Sequence, residues 1–221
     1  MTFADNILSF QKKLKLNIAL PKGVEAMNPY REKETQQLCE IFYNKFYDDN
    51  EERFLILGIN PGRFGGGLTG IPFTDPVKLE MLGISNNFDK KKELSADFIY
   101  EMIDAYGGAE KFYKKFYFSS VSPLGFVKDE KNLNYYDVKG LPELLDDFIV
   151  KCLKVQLSWG INPHICFCLG EGENYKFIKK LNERNRFFET VVALPHPRFI
   201  MQYRRKRLNE FIQLYKGKFL F

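Results

Sequence analysis

Histidine is almost missing from this chain: His164 and His196 are its only two in 221 residues. A histidine-rich metal centre is therefore not expected, and the four cysteines do not make up the shortfall. Cys39 and Cys152 stand alone, while Cys166 and Cys168 alternate within HICFCLG, the pattern of a buried strand. All four read as free structural thiols, and no metal or other cofactor is expected. No apolar run approaches membrane-spanning length, and the opening stretch MTFADNILSFQKKLK has no hydrophobic signal core. A reduced, cytoplasmic setting away from membranes is the expectation. Repeats, low-complexity tracts and linkers are absent too, so residues 1–221 read as one domain, expected to be a monomer.

What is present is ring-rich and mildly basic. There are 22 Phe and 12 Tyr, with 45% hydrophobic and 28% charged residues and a formal charge of +5. Any one ring belongs most simply to the core, and the charge alone singles out no partner. Its placement says more. Arg204, Arg205, Lys206 and Arg207 form a run near the end, with Arg198 and Lys216 close by. Such a run is ordinarily a solvated helix face. Here it directly follows a candidate catalytic segment, which points to phosphate contacts.

Periodicity orders the rest. Phe3, Ile7, Phe10 and Leu14 repeat at helical spacing behind a Thr2/Asp5 capping pattern, and the chain turns near Ala26–Tyr30. A second helix carries Leu38, Ile41, Phe42 and Phe46. Phe54–Leu57 is a short apolar run stopping at Gly58, as a fully buried parallel strand does. From Asn60 to Asp75 glycine and proline rule out regular structure. Helices follow around Val77–Leu82 and Ser95–Tyr106, then a strand, Phe116–Ser119, and a loop at Ser122–Gly125. The remainder reads as a helix over Pro142–Trp159, a strand over Ile165–Leu169, a helix from Gly170 through Leu181, a strand over Thr190–Leu194 and a closing helix. Four strands alternating with helices predict a three-layer α/β/α domain around a short, mainly parallel four-stranded sheet.

In such sheets ligands bind beyond the carboxyl ends of the strands. Three of the four strands end in loops of unusual composition: GINPGRFGGGLTGIPF, SSVSPLGF and PHPRFIMQYRRKR. They should converge on one cleft. The first has six glycines around a single Asn60, which allows close backbone approach to a ligand. A phosphate loop competes with this reading, but the Gly-Lys-Ser/Thr ending and dinucleotide glycine spacing are both absent. A nucleotide or nucleobase pocket and a merely tight turn both remain open at this point.

Gly58-Ile59-Asn60-Pro61-Gly62, then Phe64-Gly65 and Thr69–Phe73, closely resembles the first active-site motif of the single-strand-selective monofunctional branch of the uracil-DNA glycosylase superfamily. The likeness continues at Leu82–Ser85, Ser122-Pro123-Leu124, Asn132-Leu133 and His196-Pro197, and a variant bacterial branch is the closer fit. The resemblance implies that fold, and hydrolysis of uracil from DNA, with single strands preferred over double, to leave an abasic site in base excision repair.

Residue by residue, the resemblance makes Asn60 the orienter of the attacking water and His196 the donor to the departing base. It sets Gly58, Ile59, Pro61, Gly62, Arg63, Phe64 and Gly67 about the base, with the Phe73 ring stacked on it. Ser120 falls where the family carries an asparagine that reads the base edge, so a glycosylase for hydroxymethyluracil, xanthine or hypoxanthine is an alternative. A catalytically silent DNA-binding module is another. Pro197, Arg198, Phe199, Ile200 and Met201 are expected to wedge into DNA, with Arg204, Arg205 and Arg207 on phosphates. His164, ahead of a buried strand, is assigned no catalytic role. No lysine sits at a nucleophile position in the motifs, so no lyase step is expected.

Overall fold

The computed structural model describes residues 1–220. Helix α1 (Phe3–Lys13) opens the chain under the Thr2/Asp5 capping box. Then come β1 (Glu25–Met27), α2 (Lys33–Tyr47), β2 (Arg53–Gly58), α3 (Gly66–Thr69), α4 (Pro76–Met81), α5 (Leu94–Tyr106) and α6 (Ala109–Lys115). The middle holds β3 (Phe116–Ser120), β4 (Gly125–Lys128), β5 (Lys131–Leu133) and α7 (Leu141–Leu157). The chain ends in β6 (Ile161–Leu169), α8 (Glu173–Asn185), β7 (Thr190–Leu194), α9 (Pro197–Tyr203) and α10 (Leu208–Phe219).

The main sheet has the order β3-β2-β6-β7 and is parallel throughout. Helices flank it. Leu55, Ile56 and Leu57 of β2 are completely buried, which explains why the strand reads as an unbroken apolar run. From β2 the chain steps to β3 on one side, then returns past β2 to β6 on the other. The direction of winding therefore reverses between β2 and β6, and that switch point opens a crevice at the carboxyl ends.

The structure adds helix α6, which was not among the expected elements, and three further features differ from the sequence expectations. Gly66–Thr69 makes one helical turn inside the segment expected to be irregular, closed by Gly70 in the left-handed conformation. The third main strand starts at Ile161, with an irregular register before Leu55, rather than at Ile165. The largest difference is a second, antiparallel sheet of order β1-β4-β5 where only turns were expected. Its tight turn is Asp129-Glu130, with φ of 48° and 57°, the left-handed geometry of a two-residue hairpin loop. Neither residue is a glycine or asparagine, so the usual hairpin signature is missing.

Candidate active site

The register brings the strand ends into line. Gly58 stands opposite Ser120, Leu57 opposite Cys168, and Leu169 opposite Leu194. All four following loops, not only the three of unusual composition, therefore meet at one edge. They enclose a cleft of 530 Å³, a size suited to a small ligand. Its lining includes Asn60, Phe73, Ser120 and His196, each from a different stretch of chain or turn.

The glycine-rich loop folds on itself through the Gly62 carbonyl, which accepts from the N–H of Gly67 (2.9 Å) and of Gly65 (3.3 Å). A Cβ on Gly67 would lie 2.4 Å from Met27 Cε, and one on Gly58 would lie 2.8 Å from Phe73 Cζ. These two glycines thus let the loop and the Phe73 ring close up, and neither lines the cleft. Phe73 itself has φ of 55°, a strained setting for an aromatic residue. Its ring is 5.3 Å from that of Phe118 and 6.4 Å from the His196 imidazole.

Asn60 is held from outside its own loop. Its amide nitrogen donates to the Leu133 carbonyl (3.0 Å) and its Oδ1 accepts from the Tyr135 N–H (2.9 Å). The nitrogen's second proton goes to the Pro61 carbonyl at 3.4 Å, whereas the amide oxygen has two lone pairs, so one acceptor site stays available. Asn132 completes the clamp: its Oδ1 accepts from the Arg63 N–H at 3.1 Å. The Tyr135 hydroxyl donates to Asn174 at 3.0 Å, and Asn174 donates to the Leu169 carbonyl at 3.0 Å, tying the clamp to the sheet edge. The small antiparallel sheet is thus what delivers the residues that fix Asn60.

His196 is the N-cap of α9. The Arg198 N–H donates to its Nδ1 at 3.1 Å, so the neutral ring carries its proton on Nε2. Burial, with Arg198 nearby, pushes its pKa down to about 4. The imidazole is therefore a neutral donor at pH 7.

Ser120 is buried, lines the cleft, and its hydroxyl makes no hydrogen bond among the described residues. The neighbouring serines are committed elsewhere: Ser119 bonds Gln156 at 2.6 Å and Ser122 bonds the Leu124 carbonyl at 2.9 Å. Glu93 also lines the cleft, its carboxylate lying over Gly65 and its N–H on Asp75. Burial first, then Asp75, raises its pKa to about 7 against the opposing effect of Arg198.

Ile59, Pro61 and Gly62 line the cleft, whereas Arg63 and Phe64 lie outside the lining and stack on each other at 5.2 Å. The segment expected to meet DNA is an ordered part of the fold. Pro197–Met201 is helical, and Pro197, Ile200 and Met201 are buried, with α9 packed on α5. Only Arg198 and Phe199 of the five face solvent. Arg204, Arg205 and Arg207 are exposed, but Arg207 is paired with Glu210 at 2.7 Å. His164 is an exposed partner of Glu189 at 2.8 Å, away from the cleft. The four cysteines are buried and unbridged, and burial raises the Cys152 thiol to about 12. Sequence reading missed Glu93, the clamping role of Asn132–Tyr136, of which only Asn132-Leu133 falls in the likeness, and the Gly170–Asn174 segment. The last carried a signal: it is the fourth strand-end loop and opens with glycine.

A family model described as the uracil DNA glycosylase superfamily matches residues 44–217. Among solved structures, the crystal structure of wild-type Pedobacter heparinus SMUG2 is similar to this chain at 50% sequence identity and a TM-score of 0.97. That match covers 99% of this chain and 97% of the other. No curated protein matches.

Proposed function

Because the chain belongs to the uracil DNA glycosylase superfamily, we propose that it is a monofunctional glycosylase removing uracil from single-stranded DNA. One observation carries the reading: Asn60 and His196, from loops 136 residues apart, face one cleft with open hydrogen-bonding capacity.

Hydrolysis breaks the bond between sugar C1′ and base N1, and the electron pair leaves with the base. A water oxygen bonds C1′, and its proton ends on the released uracil. As the bond lengthens the sugar becomes cationic, so the water needs placement more than a strong base. The spare Oδ1 lone pair of Asn60 orients it. Charge gathers on the base oxygen, where the Nε2–H of a neutral His196 donates a hydrogen bond that strengthens in the transition state. A neutral donor suits this task, because its proton stays on the ring. Phe73 offers the extruded base a stacking surface in place of its lost neighbours.

Ser120 favours a second reading. A hydroxyl cannot pair with the uracil edge at two points as an amide can, so hydroxymethyluracil, xanthine or hypoxanthine come into range. The test is a panel of single-stranded oligonucleotides, each with one modified base, incubated in excess EDTA and resolved with and without alkali. Uracil strands should break only after alkali. Strand breaks without alkali would indicate a lyase, and activity restored only by a divalent ion would overturn the metal-free mechanism.

A further inference from the structure

The mechanism leaves the outer face of α9 without a task. Phe199 is 42% exposed and Tyr203 60% exposed, and both stand at the cleft. Four residues apart on one helix, their rings meet at 5.7 Å and 45°. The Arg204 guanidinium lies 5.3 Å from the Phe199 ring, and Arg198 and Arg205 are exposed beside them. The opposite face is anchored: Ile200 is fully buried and Met201 is 4% exposed. Inserting that apolar side between bases would tear α9 from α5. What faces outward instead is a ledge of two rings bordered by cations, continuous with the cleft.

Rings beside cations are the composition of a single-strand platform, since every base has a face to stack and every link a phosphate. We propose that Phe199 and Tyr203 form a stacking shelf for the base next to the extruded nucleotide in single-stranded DNA. The extruded base goes to Phe73; its neighbour, which loses a stacking partner in the same step, goes to the shelf. A lone exposed ring needs no explanation, but two in contact beside a cleft make a contiguous apolar patch, the kind that marks an interaction surface. The inference rests on the glycosylase reading for its substrate but concerns a different surface.

The probe is a single-stranded oligonucleotide with 2′-fluoro-deoxyuridine, which resists hydrolysis, and 2-aminopurine on its 5′ or 3′ side. Wild-type protein should quench 2-aminopurine on one side. Phe199→Leu with Tyr203→Leu should abolish that quenching, while Phe199→Tyr with Tyr203→Phe should keep it. A second readout compares excision from ordinary strands with strands whose flanking positions lack bases. The wild type should prefer ordinary strands by roughly tenfold, the size of one stacked base, and the double leucine variant should show no preference. Should that variant melt early, Tyr203→Leu alone gives the same comparison. No quenching on either side, or a leucine variant keeping quenching and preference, overturns the shelf. Quenching without uracil release leaves the shelf standing and removes the glycosylase reading.

Discussion

The two ends of β2 hold polar groups in opposite conditions. At its start Arg53 is fully buried between the rings of Phe3 and Tyr47, 4.8 Å from each. Its Nε donates to the Tyr113 carbonyl at 2.9 Å, and its two terminal nitrogens donate to the Asp49 carboxylate at 2.7 and 2.8 Å. The Arg53 bonds hold Asp49 below the usual carboxylate range. Beyond the other end, among the described residues, Asn60 keeps a spare lone pair, Ser120 and Glu93 make no side-chain hydrogen bond, and the imidazole Nε2 of His196 is unpaired. Both ends are polar and enclosed. The first saturates its hydrogen bonds and holds the fold; the second leaves them open, which costs stability unless something fills the cleft.

That contrast breaks most sharply at the open end. Asn60→Ala should lower excision about a hundredfold or more, because a displaced water reacts from the wrong place. Stability should fall only by about 1–2 kcal/mol for the bonds to Leu133 and Tyr135. A mutant keeping more than about a third of the wild-type rate would make Asn60 a loop residue. His196→Ala should cost about 10²–10³ in rate, as loss of one transition-state donor does. Its pKa lies near 4, well below its ordinary 6.5, so the folded state resists the proton that the unfolded chain takes up. Its contribution to stability is present above pH 6.5 and declines as pH falls toward 4. Melting temperatures across that window should drop less in His196→Ala than in the wild type; equal slopes would sink the assignment.

At the closed end the signs reverse. Arg53→Met leaves Asp49 without its partner and opens a well-packed site, and should cost about 3 kcal/mol or more in urea unfolding. Excision per folded molecule should hardly change. The Asp49 contribution is present above the ordinary carboxylate pKa and lost as pH falls through its lowered value, so the variant should also lose part of its acid sensitivity. A rate collapse in folded Arg53→Met protein would mean the two ends are coupled.

Legibility in the sequence follows the same division. β2 was readable because a strand buried on both faces must be apolar throughout, and Asn60 and His196 because motifs carry them. Arg53 follows Glu51-Glu52 ahead of the apolar run, and no spacing announces its burial. The second sheet was hidden for local reasons: β1 and β5 have three residues each, and the β4–β5 turn is Asp-Glu in place of Asn-Gly. Glu93 and Asn174 reach the cleft singly, through tertiary packing that no spacing announces. The helix at α9 was legible as well. Pro197, Ile200 and Met201 repeat at the three- and four-residue spacing of a buried helix face, while Arg198, Phe199 and Gln202 fall on the other side.

The smallest expected effect tests whether openness at the cleft also governs which base enters. The Ser120 hydroxyl is unpaired among the described residues, and Gly58, opposite it across the sheet, leaves its side-chain space to the Phe73 ring. Ser120→Asn supplies an amide able to meet a base edge at two points. Bidentate amide–base contacts discriminate by about 1–3 kcal/mol in groove recognition. The lower end applies here, because the longer side chain must fit beside Phe73 and Phe118, so the ratio of uracil to hydroxymethyluracil excision should rise roughly fivefold on single strands. Ser119 and Ser122 cannot stand in for it, since both hydroxyls already have partners. The decisive companion is Ser120→Ala. If it and Ser120→Asn both leave the ratio unchanged, selectivity is set by backbone groups of the Asn60–Gly62 turn, and the open hydroxyl has no part in reading the base.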